Sequence, residues 1–439
     1  MNRTSKASMN RRSLIKLGLA SGASAFAGRF SFAANAASPS RLVVIIMRGA
    51  LDGLSAAPPY GDADYARLRG ELAIAAPGSA NGALPLDGVF GLNPGFGFLH
   101  ECYAARELVV FQAVATPYRE RSHFDGQDVL ESGVPVPHGS ASGWLNRALN
   151  NLPASLRGGR ESGVALAQNV PLVLRGSASV ASWSPSVLPD LDPDTLRRIA
   201  DRYAADPVLS RRLSDAMATD QLASEAQSAP EPAAAYMAVT SGASAGNDTM
   251  AAKSMDAKPV DAVARSTAGR YVETVRTAAG FLRRDDGPSV AVFDTTGWDT
   301  HFNEGGGQGQ LRARLAVLDE SLRTFRQSMG DVWPRTAVLL ITEFGRTAAT
   351  NGTKGTDHGT GSAAFLLGGA VAGGRVVANW PGLSAGALYQ QRDLKPTLDM
   401  RSVLKSVLHD HLQIAKSALD GEIFPDSKSA GYLPDLLRT

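Results

Sequence analysis

Val290-Ala-Val-Phe-Asp294 runs into Gly297-Trp-Asp299-Thr-His301, and Ala337-Val-Leu-Leu-Ile-Thr342 runs into Glu343-Phe-Gly-Arg346-Thr347. A glycine-rich loop, Gly355-Thr-Asp357-His358-Gly-Thr-Gly-Ser362, then leads to a third apolar run, Ala363-Ala-Phe-Leu-Leu367. Short, continuous apolar runs of this kind read as strands buried on both faces, the pattern of a parallel sheet covered by helices. Open α/β sheets gather ligands beyond the carboxyl ends of their strands. The stretch 290–361 therefore predicts an α/β fold, with a mostly parallel sheet sandwiched between helices and with carboxylates and imidazoles meeting at one rim. Such a rim is either a metal site or an acid/base site.

The same pattern extends toward the N-terminus. Leu42-Val-Val-Ile-Ile-Met47 reads as a strand and runs into Arg48-Gly-Ala-Leu-Asp52-Gly53, which sets a further carboxylate at a strand end. A helix near Phe96 to Arg106 precedes a second strand, Leu108 to Val114, and Arg121-Ser-His-Phe-Asp125 opens a helix over about 125–131. One or two short strands are expected within Val164 to Leu174. A helix is expected over Asp192 to Leu213, with Asp192-Pro193 as cap and first-turn proline. Residues 214–266 are crowded with Ala, Ser and Met and read as a mobile, helix-biased insertion. Helical periodicity returns over Ala268 to Arg284 and over Gln308 to Ser328, where Leu311, Leu315, Leu318, Leu322 and Phe325 form a core stripe. The last helix, Met400 to Ala418, carries His409 and His411 two residues apart, so they face different ways and are not read as ligands.

Asn10-Arg11-Arg12-Ser-Leu-Ile-Lys16, a weakly apolar stretch to Gly28, and Ala34-Asn-Ala36 read as a twin-arginine signal peptide over 1–36. The expected mature unit is then one large domain, 37–439, exported already folded to the periplasm or the medium. The signal holds six Lys/Arg and no acid, so its removal shifts the formal charge from +2 to −4. A mildly acidic chain without a Lys/Arg tract gives no reason to expect nucleic acid as a partner. Nor is any mature segment long and apolar enough to span a bilayer. The single cysteine, Cys102, excludes an internal disulfide.

Asp52, Asp299, His301, Glu343 and His358 are the candidate metal ligands. Carboxylates mixed with imidazoles suit Zn²⁺, Mn²⁺ or a similar divalent ion better than Ca²⁺, which prefers oxygen alone. Each acid taken singly reads equally as a helix cap or as a partner of Arg48 or Arg346. Ser122 is the candidate nucleophile at a helix start; serine there also reads as a simple N-cap, with Asp125 in a box-like arrangement. His123 and Asp125 are candidate supporting partners.

The twin-arginine leader and the motifs Arg48-Gly-Ala-Leu-Asp52-Gly-Leu-Ser55, Arg121-Ser-His-Phe-Asp125, Gly297-Trp-Asp-Thr-His301, Thr342-Glu-Phe-Gly-Arg-Thr347 and Asp357-His-Gly359 resemble an exported bacterial family, domain of unknown function 1501. That family is placed in the alkaline phosphatase-like superfamily, with sulfatases and phosphatases. The resemblance implies a parallel sheet between helices, one or two metal ions, and a hydroxyl nucleophile. It assigns Asp52 as the first-strand metal ligand, Ser122 as nucleophile, and Asp299, His301 and His358 as ligands of one metal. Glu343 falls where the superfamily has an Asp-His pair, and Phe344 stands in place of that histidine. Arg346 is then expected to hold an anionic substrate oxygen, since its fork matches phosphate and sulfate. Cys102 lies in no sulfatase-like motif. The expectation is a metal-dependent hydrolase of small anionic esters, phosphate or sulfate. Its alternative is an inactive metal- or ligand-binding protein on the same fold.

Overall fold

The computed structural model describes residues 39–157, 161–184, 193–227 and 259–438. The signal-peptide residues, Asp192 and most of the expected insertion lie outside them.

The apolar runs form the sheet. Its strands are β1 (Arg41–Arg48), β4 (Leu108–Ala115), β5 (Gly163–Leu166), β6 (Val180–Trp183), β7 (Val290–Thr296), β8 (Thr336–Ile341), β9 (Ser362–Leu367), β10 (Arg375–Val377) and β11 (Leu398–Asp399). A separate hairpin pairs β2 (Leu84–Pro85) with β3 (Gly91–Leu92). The nine-stranded order is β10-β4-β9-β8-β1-β7-β5-β6, with β11 pairing on β4. Every pairing is parallel except those of β9, which runs antiparallel to both β4 and β8. The strand that follows the His358 loop is thus the one reversed strand of a mixed, mostly parallel sheet. Reversal has a direct consequence for the site. The loop entering β9 opens at the rim where β1, β4, β7 and β8 end.

Alternation along β1 divides the core. Val43, Ile45 and Met47 face one apolar layer, and Leu42, Val44 and Ile46 face the other. The first layer is closed by α3 (Gly97–Ala104), α8 (Pro259–Arg283) and α9 (Gln310–Met329), the second by α5 (Trp144–Asn150) and α10 (Met400–Leu412). The expected stripe from Leu311 to Phe325 is buried in the first layer. Three further helices are α1 (Gly53–Ala56), α2 (Tyr65–Arg69) and α4 (His123–Ser132).

Several boundaries differ from expectation. Leu172–Leu174 is a single 3₁₀ turn rather than strand, and the second short strand is β6. The helix expected over 192–213 breaks into α6 (Pro193–Tyr203) and α7 (Pro207–Gln227). Pro207 lacks an N–H and disfavours helix in the residue before it, so it restarts the chain at a new N-terminus. Residues 214–227 continue α7, and α8 begins at Pro259, so the described ends of the expected insertion are regular helix. The last helix ends at Leu412, where Gln413 turns left-handed. His409 and His411 bond backbone carbonyls of Ile414 and Arg41 and sit apart from the rim. Among the described residues no helix is long and apolar enough to cross a membrane.

Candidate metal centre

Three strand ends and the β9 loop deliver polar side chains to one place. β7 is followed by Asp299 and His301, β8 by Glu343 and Arg346, and β4 by the segment that starts α4 at His123. A β-bulge between Phe111 and Val114, with Ala113 at φ 55°, turns the end of β4. At the end of β1, Gly49 passes so close to the Asp299 segment that a Cβ would lie 2.6 Å from the Asp299 nitrogen. Its φ of +119° is likewise open to glycine and hardly to other residues.

His123, Asp299 and His358 form a group whose ligand atoms all lie within 4.8 Å of one another. His123 Nε2 is 3.0 Å from His358 Nε2 and 3.5 Å from Asp299 Oδ2. His301 adjoins the group, with Nε2 3.0 Å from both His358 Nε2 and Asp299 Oδ1.

The opposite edge of each imidazole identifies the tautomer. His123 Nδ1 lies 2.8 Å from Glu343 Oε1, His358 Nδ1 2.9 Å from the Arg121 carbonyl, and His301 Nδ1 3.3 Å from Asp357 Oδ1. Each partner only accepts, so each Nδ1 carries the proton and donates it. The three Nε2 atoms are then bare lone pairs converging with a carboxylate. Such an arrangement repels itself unless a cation lies among the lone pairs, and a hydrogen bond on the far nitrogen is how metal-binding histidines are normally oriented. Arg121 supplies its carbonyl from a left-handed conformation, φ 63°, held by Nε to Asp393 at 2.9 Å and Nη2 to Gln390 at 2.6 Å.

Charge follows the same geometry. The hydrogen bond to Glu343 raises the His123 pKa against the opposing effect of burial. Burial lowers the His358 pKa below the ordinary imidazole value, which favours the neutral ligand form. Burial also raises the carboxyl pKa of Asp299, but the bond to Arg346 and its charge outweigh it and hold Asp299 below the usual range. Glu343 is likewise lowered: burial is outweighed by its bonds from His123, Gln127 and the Gly49 N–H.

Residues 112–423 match the family described as "Protein of unknown function (DUF1501)". The chain belongs to this family. Comparison with curated proteins gives no match. Among solved structures, the chain is similar to Ps i-CgsB in complex with k-i-k-neocarrahexaose at 10% identity and TM-score 0.37, covering 90% of this chain and 77% of that one. It is similar to a phosphonate monoester hydrolase of Agrobacterium radiobacter at 12% identity and TM-score 0.35, covering 86% and 74%. A third, BT1596, a 2-O GAG sulfatase, gives 12% identity and TM-score 0.25 over 75% and 64%.

Of the residues expected as metal ligands, Asp299 and His358 belong to the group and His301 adjoins it. Glu343 is placed behind the group, where it orients His123. It is fully buried, and Oε1 accepts from Gly49 N at 2.9 Å, His123 at 2.8 Å and Gln127 at 3.1 Å. Asp52 is placed elsewhere. It caps α1 through Leu54 N at 3.1 Å and pairs with Arg69, in a buried cluster with Ser55 and Glu304. Arg69 holds Asp52 ionised against burial, whereas burial and the nearby Asp52 charge drive Glu304 well above the usual carboxyl value. Both carboxylate oxygens of Asp52 thus have a donor, Leu54 N on Oδ1 and Arg69 on Oδ2.

Arg346, expected to hold substrate, has a fully buried side chain that donates to Asp299 Oδ1 at 2.5 Å and to Thr356 Oγ1 at 3.1 Å. Ser122 stands at the N-cap of α4, directly before His123, and its side chain makes no capping bond. Its N–H donates to the Tyr118 hydroxyl at 3.1 Å. His123 is the member of the group that the sequence reading assigned only a supporting role. Phe344, where the family resemblance leads one to expect a histidine, stacks on the His123 ring with centroids 5.0 Å apart and planes at 28°. The β4–α4 segment thus sets the His123 imidazole directly on the Phe344 ring. Gly126 leaves room for this stack; a Cβ there would meet the Phe344 ring at 2.8 Å.

Proposed function

We propose that this protein is an exported, metal-dependent hydrolase of phosphate or sulfate esters, built around one divalent ion, Zn²⁺ or Mn²⁺. The observation that carries the reading is the convergence of three imidazole Nε2 atoms on Asp299 with every Nδ1 anchored on an acceptor. His123, Asp299, His358 and the adjoining His301 would hold the ion; mixed nitrogen and carboxylate donors suit a borderline divalent metal. When bound, the ion supplies Lewis-acid polarisation of a phosphoryl or sulfuryl oxygen.

The chain's own groups do the rest. Ser122 is the nucleophile in this reading: its Oγ bonds to phosphorus or sulfur as the ester bond breaks, the hydroxyl proton leaves with the departing alcohol, and water then hydrolyses the seryl ester to free the acid and restore the hydroxyl. Arg346 orients Asp299 rather than touching substrate, and Glu343 orients His123. The test is turnover of phosphomonoester, phosphodiester and sulfate-ester panels by metal-reconstituted protein. Ser122→Ala is expected to abolish turnover while keeping the metal, and Asp299→Ala to lose both. Turnover unaffected by either substitution would sink the assignment.

A second reading is a metal- or ligand-binding protein that has no turnover. It is favoured by Asp52, whose carboxylate Arg69 has neutralised, so that a second ion has no ligand there. Bound metal measured by elemental analysis, together with no hydrolysis on any panel, selects that reading.

A further inference from the structure

Phenylalanine is normally buried, and ten phenylalanines of the described chain obey that rule. Two do not. Phe124 is 86% exposed and Phe302 is 62% exposed. Each directly follows a histidine of the metal centre, His123 or His301, and those two imidazoles approach His358 with ring centroids 4.3 and 4.8 Å from it. Chance placement of exposed rings gives no reason for both to fall beside the centre.

Both rings are carried on fixed backbone. Phe124 lies in the first turn of α4, where the Gly126 N–H donates to the Ser122 carbonyl at 2.8 Å and His123 is stacked on Phe344. Phe302 is bracketed by two tied residues. The His301 carbonyl accepts from Asn351 at 2.9 Å and Thr353 at 2.7 Å, and Asn303 N donates to the Thr353 carbonyl at 3.0 Å. A rigid, exposed aromatic ring is what a stacking contact needs, because little order is lost when the partner arrives. A cleft of about 220 Å³ opens among Thr350, Asn351, Leu388 and Arg392, with Asp357, the partner of His301, in its wall; neither ring lines it.

We propose that Phe124 and Phe302 grip the flat, carbon-bound face of a ring carried by the substrate while its charged group goes to the metal centre. The substrate class is a ring-bearing ester, aryl or pyranosyl, rather than a small alkyl ester. This rests on the hydrolase reading above and specifies its substrate. Two side chains are far too little for a protein partner, which needs about 800 Å² per side. An anionic bilayer would meet Asp299 and Asp357 on the same rim, both about half exposed.

The test uses non-hydrolysable probes on the full, metal-loaded chain: calorimetric binding of phenylphosphonate, a C-linked glucosyl methylphosphonate, and methylphosphonate. At least one ring probe is expected to bind about tenfold tighter than methylphosphonate, and which one does so separates aryl from sugar. Phe124→Ala and Phe302→Ala should each cut that preference about threefold, and the double variant should erase it, with metal content unchanged. Phe124→Trp and Phe302→Trp should keep it. Equal binding of all three probes to the wild type, or a preference that survives the double variant, overturns the proposal while leaving the hydrolase reading standing. A wild-type dimer that the double variant dissociates overturns it in favour of a second copy on the rings. A chain that takes up no metal takes down the hydrolase reading itself, and this proposal with it.

Discussion

Glu343→Gln changes one charge and almost no volume, and it isolates what the buried carboxylate does for the metal centre. Glu343 Oε1 takes three donors, and the His123 bond at 2.8 Å is the shortest. An amide oxygen can keep those donors, so the fold and the His123 tautomer should survive. What is lost is the negative charge that makes the His123 Nε2 lone pair more basic. Removing an outer partner of this kind weakens metal binding by about ten- to a hundredfold, or about 1.4–2.7 kcal/mol. The pH dependence gives the sharper test. Glu343 also stabilises the imidazolium of His123, whose pKa it raises, so in the wild type a metal must displace a more tightly held proton at low pH. The advantage of wild type over Glu343→Gln should therefore be full near pH 8 and shrink toward pH 6. Chelator-competition titrations of Zn²⁺ or Mn²⁺ at the two pH values measure it. Equal affinities at pH 8, or an advantage that grows on acidification, would refute the reasoning, because His123 would then not be oriented by Glu343 for metal.

Arg69→Met should destabilise the fold by about 3–5 kcal/mol, read as a lowered urea midpoint, since it leaves the buried acids Asp52 and Glu304 without their cation. Asp52→Asn, by contrast, should leave metal content at the centre unchanged; a loss of the ion would return Asp52 to the ligand set. His411 is buried, with Nε2–H donating to the Arg41 carbonyl at 2.8 Å, and burial pulls its pKa down to about 4 from 6.5. The folded state thus binds that proton less readily than the unfolded chain. The stability it contributes is complete above pH 6.5 and is lost as pH falls toward 4, about 2 kcal/mol by pH 5. His411→Gln should flatten that part of a stability-versus-pH curve by the same amount, and an unchanged curve would count against the buried neutral imidazole.

The central strands were legible because a strand buried on both faces is nearly continuously apolar, as are the runs Leu42–Met47, Leu108–Phe111, Val290–Phe293 and Ala337–Ile341 within β1, β4, β7 and β8. The direction of β9 was not, because an apolar run such as Ser362–Leu367 carries no arrow. Asp299, His301 and His358 stood out at strand ends and in a glycine-rich loop. His123 was hidden beside Ser122, where a helix start explains any polar residue. Its trace in the sequence was Phe344: a histidine missing at one strand end invites a search for one at another. The roles of Asp52 and Glu343 depended on partners distant in sequence, Arg69 from α2 and His123 from α4, and no local pattern announces such pairings.

The two groups of acids are joined through one buried chain. Arg346 donates to Asp299 and to Thr356, Thr356 donates to Glu304 Oε2 at 2.7 Å, and the Arg69 guanidinium lies against both Glu304 and Asp52. At the inner end the Arg69 guanidinium is the cation that faces both carboxyls. At the outer end Arg346 balances Asp299, while Glu343 and Asp357 each set a carboxylate against an imidazole Nδ1. A divalent ion among the imidazoles would therefore offset the charges of Glu343 and Asp357, with Arg346 already offsetting Asp299. One such ion serves the outer group, and the inner acids have Arg69 as their cation.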